Sequence, residues 1–269
     1  MKFLQLTILL FLSSMVFIQC KKSGISEKAP APDNFQLSYG DSIIYLKNQP
    51  GDHIVEPVQR VLGKYESYPE GLEIDDETGA INVSESETGL RYKITFKSKE
   101  GQRYQTNIVL AGINYLDRYH RLSQGDSIAR PIYNASWNRS LPSSNFDEGS
   151  GAAAFGTAIK TTDGQINLAK TVRNGFFGAT PRNDEQKEIE IAYRVNDNSN
   201  GALQKIRMIL YYYKTMSDVP QYLKEIVQAR EDMIFGLRHS DQVFEVGLGG
   251  RYANLARKPR PPCVVVIAQ

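Results

Sequence analysis

Cysteine is almost absent from this 269-residue chain, which has two, Cys20 and Cys263. Once Cys20 is committed elsewhere no intrachain disulfide is possible, and the folded body must rely on its own cores. Histidine is as sparse. His53, His120 and His239 are scattered, with no H-E-x-x-H, and the chain also lacks G-x-S-x-G and the phosphate-cradling G-x-x-x-x-G-K-[ST]. Asp147 and Glu148 are carboxylates without an evident catalytic partner, and Gly149 to Gly156 is a glycine-rich loop without a lysine. No catalytic residues are picked out, no metal or other cofactor is expected, and the chain reads as not an enzyme. A charge excess is missing too: 32 Lys+Arg against 30 Asp+Glu leave +2, which argues against a nucleic-acid partner. Apolar residues make up 41% of the chain, enough for packed cores.

The one long hydrophobic run is Phe3 to Ile18, and its length of about 16 residues falls short of the roughly 20 that a spanning helix needs. It follows Met1-Lys2 and ends at Cys20, before Lys21-Lys22. That is the layout of a secretory signal. Val16-Phe17-Ile18-Gln19-Cys20 resembles a bacterial lipoprotein lipobox of the looser kind found in Bacteroidetes, although Gln19 stands where Gly, Ala or Ser is usual. The resemblance implies that residues 1–20 are a signal peptide ending at a lipidated Cys20, and that the acyl chains make the membrane a partner without a transmembrane segment. Lys21 stands where an Asp would resemble an inner-membrane retention signal, so the expected location is the outer membrane, on its surface or periplasmic face. Residues 21–33, rich in Lys, Ser, Ala and Pro, read as a flexible tether.

The body contains an internal duplication. Leu37-Ser-Tyr-Gly-Asp-Ser-Ile43 returns 85 positions later as Leu122-Ser-Gln-Gly-Asp-Ser-Ile128, and Gly71, Ile74, Gly79, Ile81 and Asn82 return in the same register as Gly156, Ile159, Gly164, Ile166 and Asn167. Around each copy the chain reads as short alternating strands closed by turns. Ile74 and Ile81 flank the turn Asp75 to Gly79, Tyr92 to Phe96 is answered by Thr106 to Ile113, and Glu188 to Tyr193 is answered by Lys205 to Tyr213 across Asn196 to Gly201. The buried trios are expected to be Ile74, Ile81 and Val83, then Ile159, Ile166 and Leu168. Glycine in the repeated turn supplies positive φ without a Cβ clash.

Tyr68-Pro-Glu-Gly71-Leu72 with Thr78-Gly79-Ala80-Ile81, Gly89 and the strand at Tyr92 resembles the P-x-G-L, TG-x-I, G-x-Y signature of bacterial immunoglobulin-like and cadherin-like domains. The resemblance implies a mainly β fold: two tandem Ig/cadherin-like antiparallel β-sandwiches at 34–114 and 115–216, with a helix-plus-strand extension at 217–269 packed on the second. Within that extension Val219 to Leu237 reads as a helix capped by Ser217 or Asp218, with Leu223, Ile226, Val227 and Met233-Ile234 on one stripe. Gln242 to Val246 and Cys263 to Ala268 read as strands, with Cys263 a small buried hydrophobe. Leu116-Asp117-Arg118-Tyr119 resembles the Leu-Asp-Arg-Glu calcium element of cadherins but lacks its glutamate, and no metal site is expected.

The expected function is a non-catalytic binding, adhesion or assembly lipoprotein of the bacterial envelope. A glycan-binding lipoprotein of a polysaccharide-uptake system is the alternative, and an envelope enzyme the third. The partner is accordingly a glycan or an envelope protein. Candidate binding residues are Trp137, Tyr133, Tyr211 and Tyr213, amphipathic aromatics that offer sugar-stacking faces or pack under the predicted helix. Ser42 and Ser127, in the repeated Asp-Ser-Ile, resemble acceptors of Bacteroidetes O-glycosylation.

Overall fold

The computed structural model describes residues 34–230, 233–235 and 261–269. Cys20, the 21–33 segment, His239 and the strand expected at 242–246 lie outside them. The described chain is mainly β. Its first part runs β1 (Ile43–Ile44), β2 (Ile54–Val55), β3 (Lys64–Tyr68), β4 (Ile81–Asn82), β5 (Arg91–Lys97) and β6 (Arg103–Leu110). Next come β7 (Ile113–Tyr115), β8 (Arg118–Arg121), β9 (Ile128–Ala129), β10 (Pro131–Tyr133), β11 (Ser144–Phe146) and β12 (Ile166–Asn167). Helix α1 (Leu168–Arg173), the long strands β13 (Glu185–Val195) and β14 (Gln204–Tyr213), helix α2 (Gln221–Arg230) and β15 (Cys263–Ile267) complete it.

Two larger sheets dominate, ordered β1-β6-β5-β3 and β11-β13-β14-β15-β8. Each is built on a long antiparallel hairpin, β5 with β6 and β13 with β14, and each has its own apolar core. Strand alternation drives this. Tyr92, Ile94 and Phe96 turn inward on β5, and Ile189, Ile191 and Tyr193 do so on β13. Ile81, Val83, Ile166 and Leu168 are buried, while Ile74 and Ile159 are half-buried against the same cores. The bridges Ile74 to Ile81 and Ile159 to Ile166 repeat at the offset of 85 read from the sequence. The copies then diverge, because Asn167 caps α1 by accepting from the Lys170 N–H, whereas Asn82 leads into a turn.

The repeated glycine does more than open a turn. Gly79 and Gly164 have φ of 75° and 68°, and a Cβ on either would lie 2.6 Å from an aromatic ring, Tyr65 in one case and Phe146 in the other. A tyrosine hydroxyl then donates to each glycine carbonyl, Tyr39 to Gly79 at 2.7 Å and Tyr115 to Gly164 at 2.6 Å. Both turns are thus clamped between a ring and a hydroxyl. Asp75 holds the first turn further by accepting from the Thr78 N–H and hydroxyl and the Glu77 N–H, bonds that keep its carboxyl below the usual range.

The C-terminal region departs from the expected layout. Strand β15 does not extend an edge but lies between β14 and β8, parallel to both. A strand with neighbours on both sides and covered faces suits the run Cys263-Val-Val-Val-Ile, all of it buried. Ser217 and Asp218 do not cap α2: they lie in a 3-10 turn in which Asp218 accepts from the N–H and hydroxyl of Thr215, and α2 starts after Pro220. Leu223 and Val227 face the sheet, but Ile234 and Phe235 fall in a separate 3-10 turn and join the first core instead of prolonging the stripe.

Alanine at Gly79 or Gly164 is expected to cost about 2–5 kcal/mol, combining left-handed backbone strain with overpacking. Alanine at Gly101, where a Cβ meets open space, is expected to cost about 1–2 kcal/mol. Urea denaturation of the three variants checks the difference.

Candidate functional site

The polar chemistry of the fold concentrates where the two cores meet. Residues 111–115, which connect them, are all buried, so the joint is part of the interior. At its centre is the Tyr193 hydroxyl, contributed by the inward face of β13. It accepts from the Ile113 N–H at 3.1 Å and donates to Gln204 Oε1 at 3.0 Å, which leaves the Thr88 hydroxyl, 2.9 Å away, as a second donor to it. One oxygen therefore binds the first core, the connector and the second sheet. Burial pushes the phenol up to about 12, so it stays protonated at physiological pH. Gly112 is confined here, since a Cβ would lie 2.5 Å from Gln204 Oε1 and 2.7 Å from Thr88. Its N–H donates to Asn134 Oδ1 at 2.8 Å, and its carbonyl accepts from the Asn134 N–H at 2.9 Å.

A cleft beside the joint is lined by Glu70, Glu87, Asn114, Asp117, Arg230 and Ile234. Arg230, at the end of α2, reaches Asp117 at 3.2 Å, with both side chains buried. The same carboxylate oxygen accepts from the Cys263 N–H at 2.7 Å, and Arg230 also donates to the Pro261 carbonyl at 3.2 Å. Burial raises the Asp117 carboxyl above its ordinary range, with the guanidinium and the Cys263 N–H pulling against that rise. In the Leu-Asp-Arg element, then, a guanidinium answers the aspartate. Among the described residues no cluster of His, Cys, Asp or Glu is arranged to hold a metal. Asn114 Nδ2 ties Glu87 and the Thr88 carbonyl into the same joint, at 2.8 and 3.1 Å.

On another side an open polar groove spans both parts, lined by Asp41, Ser42, Tyr45, Lys47, Asn198 and Asn200. Lys47 Nζ donates to the Asn198 carbonyl at 2.7 Å, and the Tyr133 hydroxyl donates to Asp197 Oδ2 at 2.7 Å. Ser42 is exposed in this groove. Its counterpart Ser127 is half-buried, and the neighbouring Asp126 is held by Arg118 at 2.7 Å and by His120 at 3.0 Å. The two Asp-Ser-Ile copies thus have different surroundings.

The candidate aromatics do not form one solvent-facing platform. Trp137 is 64% exposed and stacks on Phe235, centroids 5.0 Å apart, but Tyr133, Tyr211 and Tyr213 are 7%, 7% and 1% exposed. Tyr211 and Tyr213 lie beneath α2 with Leu223 and Val227, because the apolar stripe of the helix needs a partner and theirs is the adjacent face. Of the four proposed contacts Trp137 alone is accessible. The acidic pair Asp147 and Glu148 is also engaged. Asp147 accepts from the Ser150 hydroxyl and the Ala152 and Ala153 N–H groups, which outweigh burial and hold its carboxyl low, and Glu148 pairs with Arg194 at 2.8 Å. Sequence reasoning missed Tyr193, Thr88, Gln204 and Arg230. Tyr193 carried a signal in its inward register on β13, but two of its three partners are 80 and 105 residues away in the chain.

No protein-family model matches the chain, and a search of curated proteins finds no match.

Tyr193→Phe is expected to cost about 2–3 kcal/mol by leaving a buried N–H unpaired, and Arg230→Met about 3–5 kcal/mol by leaving Asp117 buried without its partner. Urea titrations measure both. Burial lowers the His120 pKa against the opposing pull of Asp126, so below pH about 6.5 the unfolded chain takes up a proton that the folded chain resists. Stability should therefore fall as pH drops through that window, and His120→Gln should flatten the fall.

Proposed function

We propose that the chain is an exported lipoprotein, anchored by Cys20 to the outer membrane, whose folded part is a non-catalytic binding or assembly module of the bacterial envelope. In this reading 34–114 and 115–216 are tandem Ig/cadherin-like sandwiches and 217–269 belongs to the second. The parallel edge of β1 on β6, the antiparallel hairpins and the clamped glycine turns support that assignment. The observation that carries the functional reading is the buried joint. It fixes two cores against each other, so any surface spanning them is preformed, which suits a binding platform in which ordering costs are met during folding. The carboxylates and tyrosines most attractive for chemistry hold backbone or ion-pair partners within the fold.

Glycan binding is the second reading. It is favoured by the exposed indole of Trp137, braced by Phe235, and by the amide-lined groove at Tyr45, Asn198 and Asn200. Trp137→Ala is expected to weaken binding to a responsive glycan at least about tenfold without lowering stability, as is usual for an exposed anchor residue. An array that finds no responsive glycan favours a protein partner.

Cys20→Ser is expected to move the protein from the membrane fraction to the soluble fraction, or to leave an unprocessed precursor. Fractionation and mass spectrometry of the mature N-terminus read the outcome, and unchanged retention with an unchanged mass contradicts the anchor.

A further inference from the structure

The central hairpins of the two large sheets carry their outward charges differently. On the second, Lys205 pairs with Glu190 at 2.8 Å and Arg207 with Glu188 at 3.7 Å, so each cation is answered across the strands. On the first, the register sets Lys64 opposite Lys97 and Lys97 opposite Arg103, an exposed row of three cations across β3, β5 and β6. Like charges directly opposite each other in a sheet are destabilising. Lys64 is answered by Asp76, but no ion pair among the described residues answers Lys97 or Arg103. Arg91 lies farther along the same face of β5, and Glu66 is the one carboxylate at the outward positions of these three strands.

The chain enters the fold at this same end of the sheet. Phe35, next to Asn34 where the described fold begins, packs edge-on against Phe96 and Tyr104, with centroids 5.2 and 4.8 Å away. Phe96 and Tyr104 are cross-strand partners, and the next pair in the ladder is Lys97 with Arg103. Between Cys20 and Asn34 lie 13 residues, which span at most about 45 Å even when fully extended. A bilayer holding Cys20 is therefore always within reach of this face, and contact brings the cations inside a Debye length of about 8 Å.

We infer that the outward face of the β3-β5-β6 sheet, centred on Lys97 and Arg103, docks on the anionic phospholipid headgroups of the bilayer to which the tether leads. The inference rests on the lipid-anchor reading for its geometry. Docking lays the first core on the membrane. The unbalanced row is then neutralised by phosphates, as its counterpart on the second sheet is neutralised by glutamates.

The test uses unacylated chain beginning at Lys21, which keeps every described residue, and sedimentation with vesicles of phosphatidylcholine alone or with about 30% phosphatidylglycerol, at about 50 mM NaCl. Binding is expected to require the anionic lipid, to disappear at about 0.5 M NaCl, and to weaken at least about tenfold in K97E/R103E. K97Q/R103Q, which removes charge without reversing it, should fall between, and it keeps the test valid if the reversal variant misfolds. R130E/R139E matches the charge change outside the patch and should stay within about twofold of the parent. Equal binding to both vesicles, parent-like binding by both patch variants, or capture of soluble polyphosphate without vesicle binding overturns the docking. Because this chain lacks Cys20, failure here leaves the anchor reading intact, and failure of the Cys20→Ser fractionation leaves the vesicle result standing.

Discussion

One phenol oxygen holds the two halves of this molecule in register. The Tyr193 hydroxyl, fully buried, satisfies a donor from the connector, a hydroxyl from the first core and an acceptor on β14 at once. A buried polar group with every bond made specifies geometry, whereas one left with a missing partner is costly, so the joint tolerates one arrangement. Gly112 reinforces this, because any side chain there meets Gln204 and Thr88 at less than 3 Å. The Asp117–Arg230 pair adds a second tie and binds α2 and β15 to the connector. The halves meet through a polar interior that leaves no exposed linker.

Local features of this fold were legible in the sequence, and non-local ones were not. The duplication predicted equivalent strands and turns with buried isoleucines, and Ile81 and Ile166 are buried while Ile74 and Ile159 are half-buried; period-two alternation and a glycine turn are written within a dozen residues. The sequence also predicted glycine in those turns for its positive φ. It did not show that Tyr65 and Phe146 would press on the glycines, since those rings come from strands 14 and 18 residues upstream. The same limit explains β15. An apolar run reads as a buried strand from composition alone, but its insertion between β14 and β8 is a long-range parallel pairing with no local signature. Among the candidate site residues, Tyr211 and Tyr213 had two destinations, and the stripe on α2 decided for the core. Trp137 stayed outside because its loop carries no such cover.

Most of the polar residues singled out for chemistry are engaged within the fold. Asp117, Asp147, Glu148 and Tyr193 are each held by neighbours in the fold. The accessible chemistry is of another kind: a braced indole, an amide-lined groove across the joint and a cationic sheet face beside the entry of the chain. The groove depends on the halves keeping their relative placement, because its lining comes from both.

Cooperativity of unfolding tests that dependence most directly. In differential scanning calorimetry of the folded chain, a joint of this kind predicts one transition whose van't Hoff enthalpy equals the calorimetric enthalpy. Two resolved transitions, one for each core, would contradict the account.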